Sequence, residues 1–347
     1  MASRQDTISS YDPSGVGVDN GNFCGLPFDY DTAKIILLGI PWEVTVSYHA
    51  GTADGPAAVL QASPQLDLYD LDNPDGWRQG IFMPPIPEWI RQRNDALRPL
   101  ANQIVKATEK GLDIAANVEL SAMLTAINEA CQAINQWLYE EARTAIAAGK
   151  RVGAIGGDHS IPLGIIQALA EDYPDFGILH IDAHADLRTA YQGFQYSHAS
   201  IMTNAMAVPQ VTRLIQVGIR DISPQEVAKI QTSQERIITH YDSVLKQKRY
   251  GGISWLDLCQ QIIESLPQQV YISFDVDGLD PKLCPGTGTP VPGGLELEEA
   301  FCLFRELIAS GREIIGFDVS EVGGDEWDGN VGARIVYKLC SLMGLSQ

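Results

Sequence analysis

Residues 176–186 read FGILHIDAHAD: a short, mostly apolar run, then two aspartates and a histidine at alternate positions. A run of that length is the pattern of a strand buried on both faces, which occurs where helices cover a parallel sheet. Such sheets gather their chemistry where the strands end, so Asp182, His184 and Asp186 stand where reacting groups are expected. Alternate residues of an extended chain face the same way, and the three are expected to project together as a comb of metal ligands.

Outward from this segment the rhythm repeats. Apolar runs at 33–41, 151–157, 213–219, 270–277 and 313–319 alternate with helix-like stretches at 160–170, 255–266 and 297–310, the first opening on Ser160 as a cap. The alternation predicts an α/β protein with a mostly parallel central sheet. A long helical pattern falls at about 97–149, and residues 1–30, dense in Gly, Asp, Ser and Asn, read as an extended N-terminal arm. With no compositional break and no internal repeat, residues 31–347 are expected to form a single domain.

Two more strand ends carry the same residue types. The run ending at Phe274 delivers Asp275 and Asp277, and the run ending at Gly157 delivers Asp158 and His159. Asp158 reads equally well as a helix cap. His159, Asp182, His184, Asp186, Asp275 and Asp277 together offer two nitrogen and four carboxylate donors, more than one ion takes. Clustered carboxylates repel one another unless cations compensate, and mixed imidazole and carboxylate ligation suits manganese, nickel, cobalt or iron. Two such ions would share carboxylates and hold a bridging hydroxide, which makes a hydrolase the leading class. His180 shares the parity of Asp182 but sits inside the apolar run and reads as a hydrogen-bonded core histidine; His240, at the end of a separate strand-like run, reads as structural.

Charge narrows the partners. The 347 residues carry 24 Lys and Arg against 44 Asp and Glu, a net charge of -20. That is the wrong sign for nucleic acid or an anionic membrane and suits a small cationic substrate. Apolar runs long enough to span a bilayer are absent from the sequence, Met1 to Gly15 lacks the apolar core of a secretory signal, and six scattered cysteines form no CxxC. A cytoplasmic protein is expected.

Three segments, Gly156-Gly157-Asp158-His159-Ser160, Asp182-Ala183-His184-Ala185-Asp186 and Ser273-Phe274-Asp275-Val276-Asp277-Gly278-Leu279-Asp280-Pro281, resemble the signatures of the ureohydrolases, the arginase and agmatinase family. The likeness runs from about Leu37 to Leu339 and includes the loop Gly51-Thr52-Ala53-Asp54-Gly55-Pro56. It implies a three-layer α/β/α fold and a binuclear metal centre, commonly manganese, that cuts a guanidinium group and releases urea. It also implies that the six residues above are the ligands. By the same resemblance His198, in Tyr196-Ser197-His198-Ala199-Ser200, matches a proton-shuttling histidine, and Glu321, in Ser320-Glu321-Val322, matches a glutamate that pairs with the substrate guanidinium. Trimers or hexamers are the implied assembly.

The departures bear on substrate. Glu321 is followed by Val322-Gly323-Gly324 where many members have Val-Asn-Pro, and 187–196 lacks the Asn and Ser/Thr pattern with which arginases hold an amino-acid head. The loop 41–52, with 63–70, is similar to a branch that contains guanidine hydrolases, which implies nickel as well as manganese. Aromatics at 42, 48, 191, 194, 196 and 327 are expected to narrow the pocket around a small planar cation. The expected reaction is guanidine to urea and ammonia. Agmatine or another guanidino compound as substrate, an inactive metal-binding homologue and a metal-dependent deacetylase are the alternatives.

Overall fold

The computed structural model describes residues 3–345. Each apolar run becomes a strand: β1 (Ile35–Ile40), β3 (Arg151–Gly156), β4 (Phe176–Ile181), β5 (Val211–Ile219), β7 (Gln269–Asp275) and β8 (Glu313–Ser320). Two strands more, β2 (Ile81–Phe82) and β6 (Ile237–Tyr241), close the edges. A two-residue strand has no periodicity to read, and β6 is half-buried along most of its length, as an edge allows. All pairings are parallel, in the order β2-β1-β3-β8-β7-β4-β5-β6.

That order explains the convergence of distant sequence segments. From β3 the chain crosses to β4 and leaves a gap that β7 and β8 fill later, so β3, β8, β7 and β4 stand side by side in mid-sheet. Adjacent strands lie about 4.8 Å apart, so the four carboxyl ends fall within roughly 15 Å of one another. These central strands are buried along both faces because helices cover the sheet on either side, giving three layers. The helices form two packed groups. Glu88–Glu109, Val118–Ala147, Leu163–Leu169 and Ile201–Met206 make one; Gly55–Ala62, Trp255–Glu264, Leu297–Ala309 and Glu326–Met343 make the other.

Several expectations shift in detail. The 97–149 pattern is two helices, because Gly111, at φ +72°, breaks the chain between Glu109 and Asn117, whose side chain caps the second helix. The first begins at Glu88 and accommodates Pro99 in its interior. Ser160 does not cap the helix ahead of it: its N–H and hydroxyl both turn back to Asp158, and the helix starts at Leu163 after Pro162. The N-terminal segment is not an extended arm throughout. Arg4–Ser10 is a helix capped by Ser3, and Phe23, Leu26 and Phe28 are buried in the chain's own core, their turn held by the Asn22 amide donating to Leu26, Phe28 and Ile81 carbonyls.

Candidate metal centre

Gly157 lets β3 deliver its histidine. A Cβ there would lie 1.9 Å from the Trp42 carbonyl oxygen, so only glycine permits this approach, and the Asp158 N–H donates to that same carbonyl at 2.7 Å. His159 then emerges fully buried. Its Nδ1 lies 3.1 Å from Asp182 Oδ2 and 3.3 Å from both Asp186 Oδ2 and Asp275 Oδ2, while Nε2 is 2.8 Å from Ser273 Oγ. With a cation at Nδ1, the ring hydrogen would sit on Nε2 and be donated to Ser273.

The expected comb is bent rather than straight. Asp186 sits at φ +53°, a left-handed turn that folds its carboxylate back beside Asp182. A similar turn separates the other pair. Asp275 ends β7 and accepts the Asp277 N–H at 2.8 Å, opening a short helical turn that sends the two carboxylates apart. Asp275 faces His159, and Asp277 Oδ2 lies 3.0 Å from His184 Nδ1. Two groups of donor atoms that could hold an ion result: His159, Asp182 and Asp186, with His180 alongside, and then Asp182, His184 and Asp277. Asp182 belongs to both.

His180 is not free to be a ligand. The Gln216 amide accepts from Thr239 Oγ1 and donates both to the Ala185 carbonyl and to His180 Nδ1, which leaves the imidazole hydrogen on Nε2, 2.8 Å from Asp182 Oδ2. It orients the shared carboxylate. The hydrogen-bonded core histidine expected from sequence is what the structure contains.

Electrostatics fit a cluster built to bind cations. Burial and the neighbouring Asp182 push Asp186 up to about 6, and burial with Asp277 and Asp182 pushes Asp275 well above the carboxylate range. Burial alone would lower His159 and His184, yet the carboxylates around them raise both well above the usual imidazole value. A largely buried cluster of four carboxylates and two imidazoles thus competes for protons. Two divalent ions satisfy the same demand with the donor types found here.

A cavity of about 170 Å³ opens onto this cluster, lined by His184, Asp186, His198, Ser47, Arg188, Tyr191 and Thr289 among others. His198 is held by its backbone, whose N–H donates to Thr45 Oγ1 at 3.3 Å; burial, with His184 and His159, pushes its imidazole down to about 4. Glu321 is not among the residues lining this cavity; its carboxylate lies against Gly288. It adopts φ +62°, accepts the His159 N–H at 2.9 Å through Oε1, and leaves Oε2 buried with no hydrogen-bond partner among the described residues.

Most of the expected aromatic enclosure lies elsewhere. Trp42 and Phe194 are core residues, Tyr196 packs against the core, Tyr48 is 69% exposed and stacked on His49, and Trp327 is 55% exposed. Of the six, Tyr191 alone lines the cavity, and the guanidinium of Arg188 already covers its ring at 4.9 Å. The other five rings fill or pack against the core or stand at the surface, because a large apolar side chain goes where the fold buries it.

Other participants escaped the sequence reading. Glu43 is buried and accepts from Gly51 and Ala53 N–H and Thr52 Oγ1, which folds the 43–53 loop so that Thr45 and Ser47 reach the site. Asp318, fully buried on β8, lies 3.6 Å from His159 Nε2 and accepts from Ser320 Oγ at 2.8 Å. A signal for it existed: an acid inside an apolar run, with the strand parity of Ser320.

Comparison with known proteins agrees with this geometry. The profile described as the arginase family matches residues 33–341. The chain is 31% identical over 318 residues to the N(1)-aminopropylagmatine ureohydrolase of Thermus thermophilus, covering 91% of this chain and 92% of that one. It is 31% identical to the agmatinase of Serratia proteamaculans, covering 86% and 81%. Among solved structures, the agmatine ureohydrolase of Thermoplasma volcanium shares the fold with a TM-score of 0.70 at 21% identity, covering 98% of each chain. The chain belongs to the arginase family.

Proposed function

We propose that this protein hydrolyses free guanidine to urea and ammonia at a binuclear centre. The observation that carries the reading is Glu321. A buried carboxylate oxygen without a donor is costly, and burial with Asp275 and Asp158 raises this carboxyl well above its ordinary range. A planar guanidinium, which keeps its charge and offers N–H donors in a fork, satisfies both demands. The coarser assignment, a ureohydrolase acting on a guanidino compound, fits the family and the names of its relatives.

His159, Asp182, Asp186 and Asp275 would hold one ion, and Asp182, His184 and Asp277 the other; when bound, the ions neutralise the acidic cluster and activate water. Glu321 fixes the plane of the guanidinium. As the water oxygen bonds to the central carbon, a C–N bond must break and its nitrogen must gain a proton. His198, pushed down to about 4 and so without a second proton at neutral pH, accepts a proton from the water side and returns it to the leaving nitrogen. Guanidinium and water thereby become urea and ammonium.

Agmatine is the competing substrate, favoured by the relatives' names. Free guanidine is supported by the resemblance of the 41–52 loop and by a cavity wall with no carboxylate free to take an ammonium tail at depth: Glu226 is committed to the Leu187 N–H and to Ser223. Nickel is the first metal to test and manganese the second. The enzyme loaded separately with each is assayed for kcat/KM on guanidine, agmatine, arginine and 4-guanidinobutyrate, with two ions per subunit expected by elemental analysis. A preference for agmatine under both loadings overturns guanidine and leaves the ureohydrolase. A reducing cytoplasm suits six cysteines that are all free of disulfides.

A further inference from the structure

Arg188 is out of place in a site for cations. The chain carries an excess of 20 acidic residues, yet this guanidinium lines the cavity and makes neither an ion pair nor a hydrogen bond among the described residues. Its position is nonetheless built. The Arg188 N–H donates to the Ala199 carbonyl at 3.1 Å, and its guanidinium carbon stands 4.9 Å from the centre of the Tyr191 ring. Tyr191 in turn meets the His198 ring edge-on at 6.1 Å and 82°. A half-buried cation, two ring contacts from the proton-carrying histidine, is therefore held in place by an aromatic face instead of a counter-ion.

The acids of the same wall do not cancel it. Asp186 is turned to His159, and Glu226 accepts from the Leu187 N–H, the Ser223 N–H and the Ser223 hydroxyl. Asp221 has a side chain 70% exposed and points toward His184 Nε2 at 4.0 Å, where solvent screens it. Past the guanidinium head, the unanswered charge of the cavity wall is positive.

We propose that Arg188 sets the substrate class by charge, rejecting guanidino compounds whose tail ends in an ammonium and admitting those whose tail ends in a carboxylate or that have no tail. The inference rests on the ureohydrolase reading of the site. An ammonium tail meets a fixed like charge in a partly dry wall, whereas a carboxylate supplies the acceptor that the guanidinium fork lacks. Free guanidine, with nothing to place there, is indifferent to this selection.

The test compares two tails of similar length and opposite charge, agmatine and 4-guanidinobutyrate, on the metal-loaded enzyme and on Arg188→Gln and Arg188→Glu. The quantity read is the ratio of their kcat/KM values, which loss of metal or of folded fraction leaves unchanged. Wild type is expected to favour 4-guanidinobutyrate; Arg188→Gln should shift the ratio toward agmatine by about tenfold, and Arg188→Glu should invert it. Where turnover is slow, inhibition constants against guanidine hydrolysis give the same ratio. A ratio equal in all three proteins, a wild-type preference for agmatine, or the failure of 4-guanidinobutyrate to react or compete overturns the proposal, whereas complete exclusion of agmatine from wild type, relieved in Arg188→Glu, supports it. The guanidine assignment fails separately: if guanidine is the poorest substrate while the ratio moves, Arg188 selects charge in an enzyme for tailed substrates.

Discussion

At the scale of single residues, the site depends on what is denied to Glu321 as much as on what it is given. Its Oε2 is spared a steric contact because Gly288 has no side chain: a Cβ there would stand 2.7 Å from that oxygen, 3.6 Å from the carboxyl carbon and 3.7 Å from the His49 carbonyl oxygen. Gly288→Ala should therefore raise KM for the guanidinium substrate by roughly tenfold with folding and metal content unchanged, read by steady-state kinetics beside elemental analysis. An unchanged KM would place the substrate elsewhere. A second histidine acts on stability. Burial, with Lys248 nearby, lowers His240 to about 4. Between pH 6.5 and 4 the unfolded chain takes up a proton that the folded chain refuses, so stability falls as pH drops through that window, by on the order of 2–3 kcal/mol in full. His240→Gln should flatten denaturation midpoints measured across it.

The next scale is that of the elements, where loop and helix are fastened to each other. The helix Glu88–Glu109 reaches the 43–53 loop through Asn94, whose Oδ1 accepts the Glu43 N–H at 2.8 Å, and Arg98, which donates to the Val44 and Val46 carbonyls. Glu43 then gathers the far side of the loop. Glu43→Ala strands two backbone donors and the Thr52 hydroxyl and should cost about 1–3 kcal/mol. Hydrogen exchange should quicken at Gly51 and Ala53, and kcat should fall because Thr45 no longer holds His198. Protection unchanged at those amides would show that the loop is fastened otherwise. Legibility in the sequence divides along the same line. Strand ends carrying His159, Asp182 to Asp186 and Asp275 to Asp277 announce themselves, since an apolar run and its polar terminus are neighbours in the chain. Glu43, Arg98 and Arg188 matter through contacts between distant segments, and nothing in their immediate neighbours marks them. The aromatic positions misled for the same reason: a ring's destination is set by the packing of the whole fold.

For the molecule as a whole, the central strand order is what sequence patterns leave open and what makes the site possible. Six runs predict a parallel sheet, but that β8 and β7 fall between β3 and β4 is a property of the complete chain. Assembly belongs to this scale too. By its family resemblance the protein is expected to form a trimer or hexamer, and light scattering at micromolar concentration checks it; a monomer there rejects that expectation.

The two bends that aim the site's carboxylates, φ +53° at Asp186 and +62° at Glu321, are conformations that glycine would adopt at less cost. Neither position can take glycine without surrendering its carboxylate, so the strain has no local remedy and is borne by the eight-stranded core beneath. The catalytic rim is thus the first part of the fold to relax when the core is weakened. In mild denaturant, activity should be lost while the sheet and its helices still stand, and an assay of enzyme survival will read a lower threshold than any measure of the fold.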